Sequence, residues 1–460
     1  MAKSANIQSV SIGTAVSGGG DPDSNFLPQP DGAAYVGMSV EIGAVDSFNF
    51  SEAFHEEDQG RRTAGAEQLL PVGLVNNSGS EKFSTPVGTM FRAGYPDSAT
   101  ISHRLLGVNG ADPGNVGYGK ILGSSMGLYT PGAATITTQA GSGDKSELII
   151  DSNEAANLPV GAPFRVREAG SIVDQYAICT ASEDQFDGTH KVTVHPELTF
   201  IPQANQDVQL CFAFFPVIGA DNCAKNDFFC RFDMGGEGTE ASVRTVLAGC
   251  RATGFTISNS DGGTSLEMSF RPLVALQDDA NADVVSTSEP PGALWIHRYG
   301  CRVDLSGNFA GGSAPFKASR EYLSNIDHTV ACEFSTAPST PETRGLLRGL
   351  KHEIHNGTCT VTLNTEKNST LEQMIVKNEI RSLIIGYGPS GSTGEGGAFF
   401  LKNASRDTGD TPISQGDGFR IEQETTLRAV SDFKGCDTSG LVGAGLRLAT
   451  APFLLIFPKV

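Results

Sequence analysis

A chain of 460 residues is longer than one ordinary domain and allows two or three. Its 55 glycines, single tryptophan and 39% apolar content suit an all-β protein with many turns better than a helical one. The formal net charge of −19 argues against a protein that grips nucleic acid by neutralising phosphates, and no apolar run reaches the roughly 18 residues of a membrane helix.

The first residues, MAKSANIQSVSIG, carry a lysine but no apolar h-region, so no secretory signal is expected and the protein is placed in the cytosol at first. Residues 1–35, rich in Gly, Ser, Pro and Asp, read as an extended N-terminal arm with little packing of its own. From Tyr35 to Phe50, Met38, Val40 and Ile42 alternate and Phe48 and Phe50 extend the β pattern. Ser51 to Ser80 is polar enough to read as one long loop. Ser84 to Ala93 reads as a short helix with Pro86 in its first turn, although Gly88 weakens it.

Residues 140–216 carry strand-like segments at Ser146–Ile150, Phe164–Arg167, Tyr176–Ala181, Lys191–Val194 and Val208–Phe212. Turn signals such as Asp187-Gly188 separate them, and the spacing predicts a small closed or half-closed β-barrel inserted in the chain. After Phe228–Met234 comes a short helical possibility at Thr239–Leu247. A hairpin follows, in which Arg251–Ser258 and Leu266–Arg271 flank a Gly-containing five-residue turn, Asn259–Gly263. The acidic, Pro-bearing stretch 276–292 is the best domain boundary. The layout is then an arm (1–35), a first domain (36–139 and 217–275), an insert (140–216), a linker (276–292) and a second domain (293–460).

The second domain has the clearest pattern. Ile326, His328, Val330, Cys332 and Phe334 share one face of a strand, and Cys359, Val361 and Leu363 share one face of the next. Ser369 and Glu372 have capping-box spacing ahead of a helix bearing Leu371, Met374 and Ile375. Strands are expected at Ser382–Ile385 and Phe419–Val430. The order is that of a small sandwich with one helix laid on it.

No motif rises to an active site. His352-Glu353-Ile354-His355 lacks the zincin spacing and the helix that spacing needs. Gly386-Tyr387-Gly388-Pro389-Ser390-Gly391 follows a strand, but no Gly-Lys-Ser/Thr comes after it, so a flexible loop is the better reading. Cys179, Cys211, Cys230, Cys250, Cys332 and Cys359 sit in apolar or alternating surroundings, as reduced core thiols do, and Cys223 with Cys230 has no partner pair at zinc-finger spacing. The Asn-x-Ser/Thr sites at Asn76, Asn356, Asn368 and Asn403 mean little without secretion. No catalytic residue, metal ligand or cofactor is therefore assigned, and the protein is not expected to be an enzyme.

The combination resembles one family, the tail tube (major tail) proteins of long, flexible-tailed phages. CRATGFTISNSDGGTSLEMSFRP at 250–272, the run from Ile326 through Gly386, FRIEQETTLRAV at 419–430 and the strand-rich end LRLATAPFLLIFP carry the likeness. The resemblance implies a mainly β fold with two tail-tube-type β-sandwich domains, each with a flanking helix, plus the inserted small β-barrel. It also implies self-assembly into rings whose sheets join into a continuous barrel. With the fold present twice, three copies would build a sixfold wall, and rings would stack into a helical tube. The implied partners are other copies of the chain, a tape measure protein, and tail terminator or tip proteins. Double-stranded DNA would pass through without sequence-specific binding, and no membrane anchor is implied. The location would be the virion tail, after assembly in the host cytoplasm. By position, Ser51–Ser80 and Thr336–Asn356 would be the loops that reach the neighbouring ring. Acidic groups facing the lumen would repel phosphates and keep DNA sliding. Two other readings compete: a capsid decoration or baseplate protein, and a carbohydrate-binding or hydrolytic β protein using 140–216, which the single Trp disfavours.

Overall fold

A computed structural model describes residues 7–14, 35–38, 45–58, 81–85, 88–104, 112–171, 173–217, 228–234, 243–260, 263–272, 274–278, 302–306, 321–323, 327–338, 352–376, 379–388, 396–407, 413–415, 421–430 and 433–459. The chain is mainly β, with one large antiparallel sheet system, and the described residues include three α-helices, Gly117–Gly123, Ser369–Val376 and Gly443–Thr450.

The Val243–Ser260 strand is the pivot. Its residues 244–248 lie between the Phe228–Met234 and Val274–Asp278 strands, and its residues 254–259 lie between Gly263–Arg271 and Asp327–Pro338. The alternation in the sequence is realised here. Phe255, Ile257, Leu266, Met268 and Phe270 are all buried, while Glu267 between them is exposed. The ladder of this hairpin continues to Ser260↔Gly263, so the turn is tighter than the expected five residues, and residues 261–262 lie outside the described set.

From the pivot the sheet runs both ways. On one side Gly88–Arg104 pairs with Gly263–Arg271, and Val45–Asp58 pairs with Gly88–Arg104. On the other side Asp327–Pro338, His352–Glu366, Ile421–Ala429 and Gly397–Arg406 follow in order, and Gly397–Arg406 also meets Arg381–Tyr387 and Phe453–Pro458. His328, Val330, Cys332 and Phe334 face inward, as do Cys359, Val361 and Leu363. Ile326 lies outside the described residues.

Two segments are buried on both faces, which explains their unbroken apolar runs. In Gly397–Arg406 and Phe453–Pro458, alternation separates two cores rather than a core from water. Phe399, Leu401, Phe453, Leu455 and Phe457 enter the main core, while Ala398, Phe400, Leu454 and Ile456 enter a second. The neighbouring Asp207–Pro216 strand serves both and reaches a third core through Val208 and Leu210. Around that third core, Glu147–Asp151, Thr189–His195, Asp174–Asp184, Pro163–Arg167, Asp207–Pro216 and Thr135–Thr137 pair in succession. Thr138 then bridges back to Ile150 and returns the pairing to its start. The strands expected between 140 and 216 are all present, and Thr135–Thr137 is an addition.

Other expectations change. Within the supposed arm, Ile7–Thr14 is a strand held between Phe228–Met234 and Tyr35–Met38, with Val10 and Ile12 fully buried. Its Val-Ser-Ile alternation is short but finds partners on both sides. Residues 51–58 of the supposed loop continue the Val45–Asp58 strand, and 59–80 lie outside the described residues. The helix expected at Ser84–Ala93 is instead the paired strands Glu81–Thr85 and Gly88–Arg104, because cross-strand partners override a weak local signal. The helix of this half is Gly117–Gly123, which places Tyr118, Ile121 and Leu122 in the main core. Residues 243–247 of the second supposed helix belong to the pivot strand.

The connector 276–292 begins inside the Val274–Asp278 strand, and its residues from 279 lie outside the described set. The supposed loop Thr336–Asn356 is strand at both ends, from Thr336↔Ile354 to Pro338↔His352, and 339–351 are not described. Leu446–Thr450, expected as strand, is helical. At Ser369–Val376 the cap is Asn368, not Ser369. Its Oδ1 accepts from the Thr370 N–H at 2.8 Å and the Leu371 N–H at 3.2 Å. Leu371 and Met374 are buried there, and Ile375 is exposed.

Candidate functional site

The structure disperses the motifs that first invited a chemical reading. His352-Glu353-Ile354-His355 lies on the His352–Glu366 strand, not on the helix a zincin needs. Gly386 and Tyr387 end the Arg381–Tyr387 strand, where the Tyr387 hydroxyl meets His328 Nε2 at 3.0 Å, and residues 389–391 lie outside the described set. Among the described residues no group of three or more His, Cys, Asp or Glu side chains is placed to hold a metal ion.

Two polar constellations lay hidden in the sequence. The first joins His195, fully buried, to Ser382, with Nε2 to Oγ at 2.6 Å. A serine beside a histidine is the start of a nucleophile–base pair. Here, however, the Ser382 hydroxyl donates to the Lys402 carbonyl at 2.7 Å, so its Oγ accepts from the histidine. The proton therefore points away from the ring that would have to remove it, and the Phe400 and Phe433 rings pack against His195. The pair ties the Thr189–His195 strand to the Arg381–Tyr387 strand and does not activate a nucleophile.

The second constellation is Lys402, whose whole side chain is buried. Its ammonium donates to Leu448 O at 2.8 Å, near the end of the Gly443–Thr450 helix where carbonyls lack partners, and lies 5.5 Å from the centre of the Phe433 ring. Burial lowers its pKa to about 8 from the ordinary 10.5, with the nearby Cys436 opposing that shift. The folded state thus binds this proton less tightly than the unfolded chain does. Its destabilising contribution is full below pH 8 and is relieved as pH rises toward 10.5. Replacing the lysine, Lys402→Met, removes the titration. The stability of wild type minus that of the variant should climb by about 3 kcal/mol between pH 8 and 10.5 in urea unfolding. Parallel curves across that window would remove Lys402 as the cause.

A third polar group sits on the cycle of strands. Asp174 receives Arg165 at 3.2 Å and Arg167 at 2.6 Å, and Arg165 also donates to Gln209, whose amide donates to Lys459 O. Arg165 and Asp174 are nearly fully buried, so this is a closed internal network and not a substrate site.

Backbone edges and surface points remain. Among the described residues the 14-residue Val45–Asp58 strand pairs only with Gly88–Arg104, leaving about 45 Å of strand with one free edge. Two register shifts interrupt its ladder, at Val45/Ser47 and at Ser51/Glu52. At the tip between Asp174–Asp184 and Thr189–His195, Phe186 is 93% exposed at φ 59°, a left-handed conformation uncommon for a bulky residue. Val442, just ahead of the last helix, is 81% exposed. No protein-family profile matches the sequence, and no curated protein is similar to it.

Proposed function

We propose that the chain is a structural virion protein that polymerises into stacked rings, forming a phage tail tube through which DNA reaches the host. The observation that carries this reading is the long Val45–Asp58 edge at the end of a continuous antiparallel sheet, one-sided among the described residues. Such an edge invites uncontrolled pairing unless assembly occupies it, and a ring of copies does so. The resemblance of residues 250–272, 326–386 and 419–430 to tail tube proteins points the same way. On this reading the chain holds two tube-type sandwiches with the cycle of strands between 135 and 216 as a barrel decorating the outside, since a place in the lumen would obstruct DNA. Three copies complete a pseudo-sixfold ring. A tape measure protein and terminator or tip proteins set the ends, and the protein is at work in the virion tail. The net charge of −19 favours passage of DNA over retention. Among the described residues no helix is long and apolar enough to cross a membrane, so the reading calls for no helical anchor.

Negative-stain electron microscopy of the purified protein, with its mass in solution, tests the proposal. Long tubes or three-copy rings are expected. Discrete icosahedral or single-copy placement on particles would favour the decoration or baseplate role. A monomer that binds a glycan and does not assemble even when seeded with tail-tip complexes would overturn the tube reading.

A further inference from the structure

Among the described residues seven cysteines, Cys179, Cys211, Cys230, Cys250, Cys332, Cys359 and Cys436, are buried. Two of them stand apart by geometry. Cys332 on Asp327–Pro338 and Cys359 on His352–Glu366 are direct cross-strand partners, and their sulfur atoms are 2.9 Å apart. Directly opposed residues of an antiparallel pair have Cα atoms about 4.5–5.5 Å apart, inside the span of about 4.4–6.8 Å that a disulfide bridges. Both side chains point into the main core, where Val330, Val361 and Leu363 pack beside them. The backbone already holds the geometry of the bond. Among the others, Cys230 lies opposite Leu247, Cys250 lies opposite Phe228, and Cys436 points its thiol at the Cys179 carbonyl, 3.9 Å away.

We propose that Cys332 and Cys359 are an oxidative modification site: a peroxide converts the reduced pair into a cross-strand disulfide that staples the middle of the 327–366 hairpin. In the first step one thiolate attacks hydrogen peroxide. The O–O bond breaks, an S–O bond forms to give a sulfenic acid, and the departing hydroxide takes up the proton lost by the thiol. In the second step the partner sulfur attacks the sulfenic sulfur. The S–O bond breaks, the S–S bond forms and the oxygen leaves as water. Overall two thiols and one peroxide give one disulfide and two waters, with the two electrons passing from sulfur to the peroxide oxygens. A small neutral oxidant suits a pair that larger disulfide reagents cannot reach. Burial and the neighbouring thiol hold Cys332 in its neutral form, so the step is slow and the pair stays reduced in a thiol-rich compartment. The staple closes a loop with a sequence separation of 27 residues. The inference rests on strand register and sulfur distance, and it stands whether or not the protein builds a tube.

The test is to treat the purified full chain with hydrogen peroxide at neutral pH, unfold it, alkylate it and weigh it. The expected product has lost two hydrogens, takes up two fewer alkyl groups, and yields a peptide linking Cys332 to Cys359 that dithiothreitol cleaves. Its melting midpoint rises by about a few degrees. The variant Cys332→Ala/Cys359→Ala, treated in parallel, shows neither the mass loss nor the thermal gain, whatever its own starting stability. Full alkylation of both cysteines after treatment, irreversible sulfinic acid at either one, or a link made only by other cysteines would each overturn the proposal.

Discussion

Raising the pH above 8 is expected to weaken the protein steadily and, beyond 10.5, to unfold it in one cooperative step. Burial pushes the thiols of Cys179, Cys211, Cys230, Cys332 and Cys436 upward from their ordinary value of 9.0, Cys211 to about 12. An acid whose folded pKa is raised binds its proton more tightly in the native state. The stability this lends is complete below the unfolded value of 9.0 and is lost as pH rises above it, because only the unfolded chain can ionise. At pH 10.5 Cys179, Cys211 and Cys230 each remove about 2 kcal/mol, so these three remove about 6, a large part of a typical domain's stability, and Cys332 and Cys436 act in the same direction. Half-buried Tyr129 and buried Tyr176, both raised by burial, add to the loss above pH 10. Lys402 opposes it by about 3 kcal/mol, which delays the transition but does not cancel it. Far-ultraviolet circular dichroism and tyrosinate absorbance, followed together, should change at the same pH. Phenolate appearing gradually while the β signal persists to pH 11 would show that the buried thiols do not control stability.

The sequence disclosed the parts whose physics is local. Period-two burial at His328–Phe334, Cys359–Leu363 and Leu266–Phe270 needs only one wet face and one dry face, and both strands and faces were legible. The strands between 147 and 216 were legible for the same reason, helped by turn residues between them. What escaped depends on distant partners. Ser84 to Ala93 reads as a short helix until the Val45–Asp58 strand is laid against residues 90–93. Val243–Leu247 looks helical until one sees that it is the first third of an 18-residue strand that changes neighbours midway. The His195–Ser382 contact joins residues 187 apart, a separation with no sequence signature. Lys402 did leave a trace: a lysine directly after the apolar run Ala398-Phe399-Phe400-Leu401, in a strand buried on both faces, has no wet face to reach, so its charge must find a partner within the fold.

The second large effect should come from Gly254. It closes the register shift between Ala252 and Gly254, where the pivot strand passes from one pair of neighbours to the other. A Cβ built there falls 2.5 Å from the backbone oxygen of Cys332 and 3.3 Å from the Glu333 Cα. Both obstacles are main chain, so no rotamer change relieves the clash and the Asp327–Pro338 strand itself must move. That displacement threatens the ladder from Gly254↔Glu333 to Asn259↔His328, which carries the main sheet from the half before residue 278 into the half after 302. The variant Gly254→Val should therefore lose about 3 kcal/mol or more in urea unfolding, at the upper end of overpacking costs. Gly445→Ala serves as the contrast. That glycine lies in the exposed Gly443–Thr450 helix with nothing within 4 Å of its Cβ position, so alanine should gain about 0.5–1 kcal/mol. Wild-type stability in Gly254→Val would mean that the two halves do not depend on this close approach. A loss in Gly254→Val that also abolishes the peroxide-formed link between Cys332 and Cys359 would show that the same backbone position sets both the sheet's continuity and the registry of the thiols.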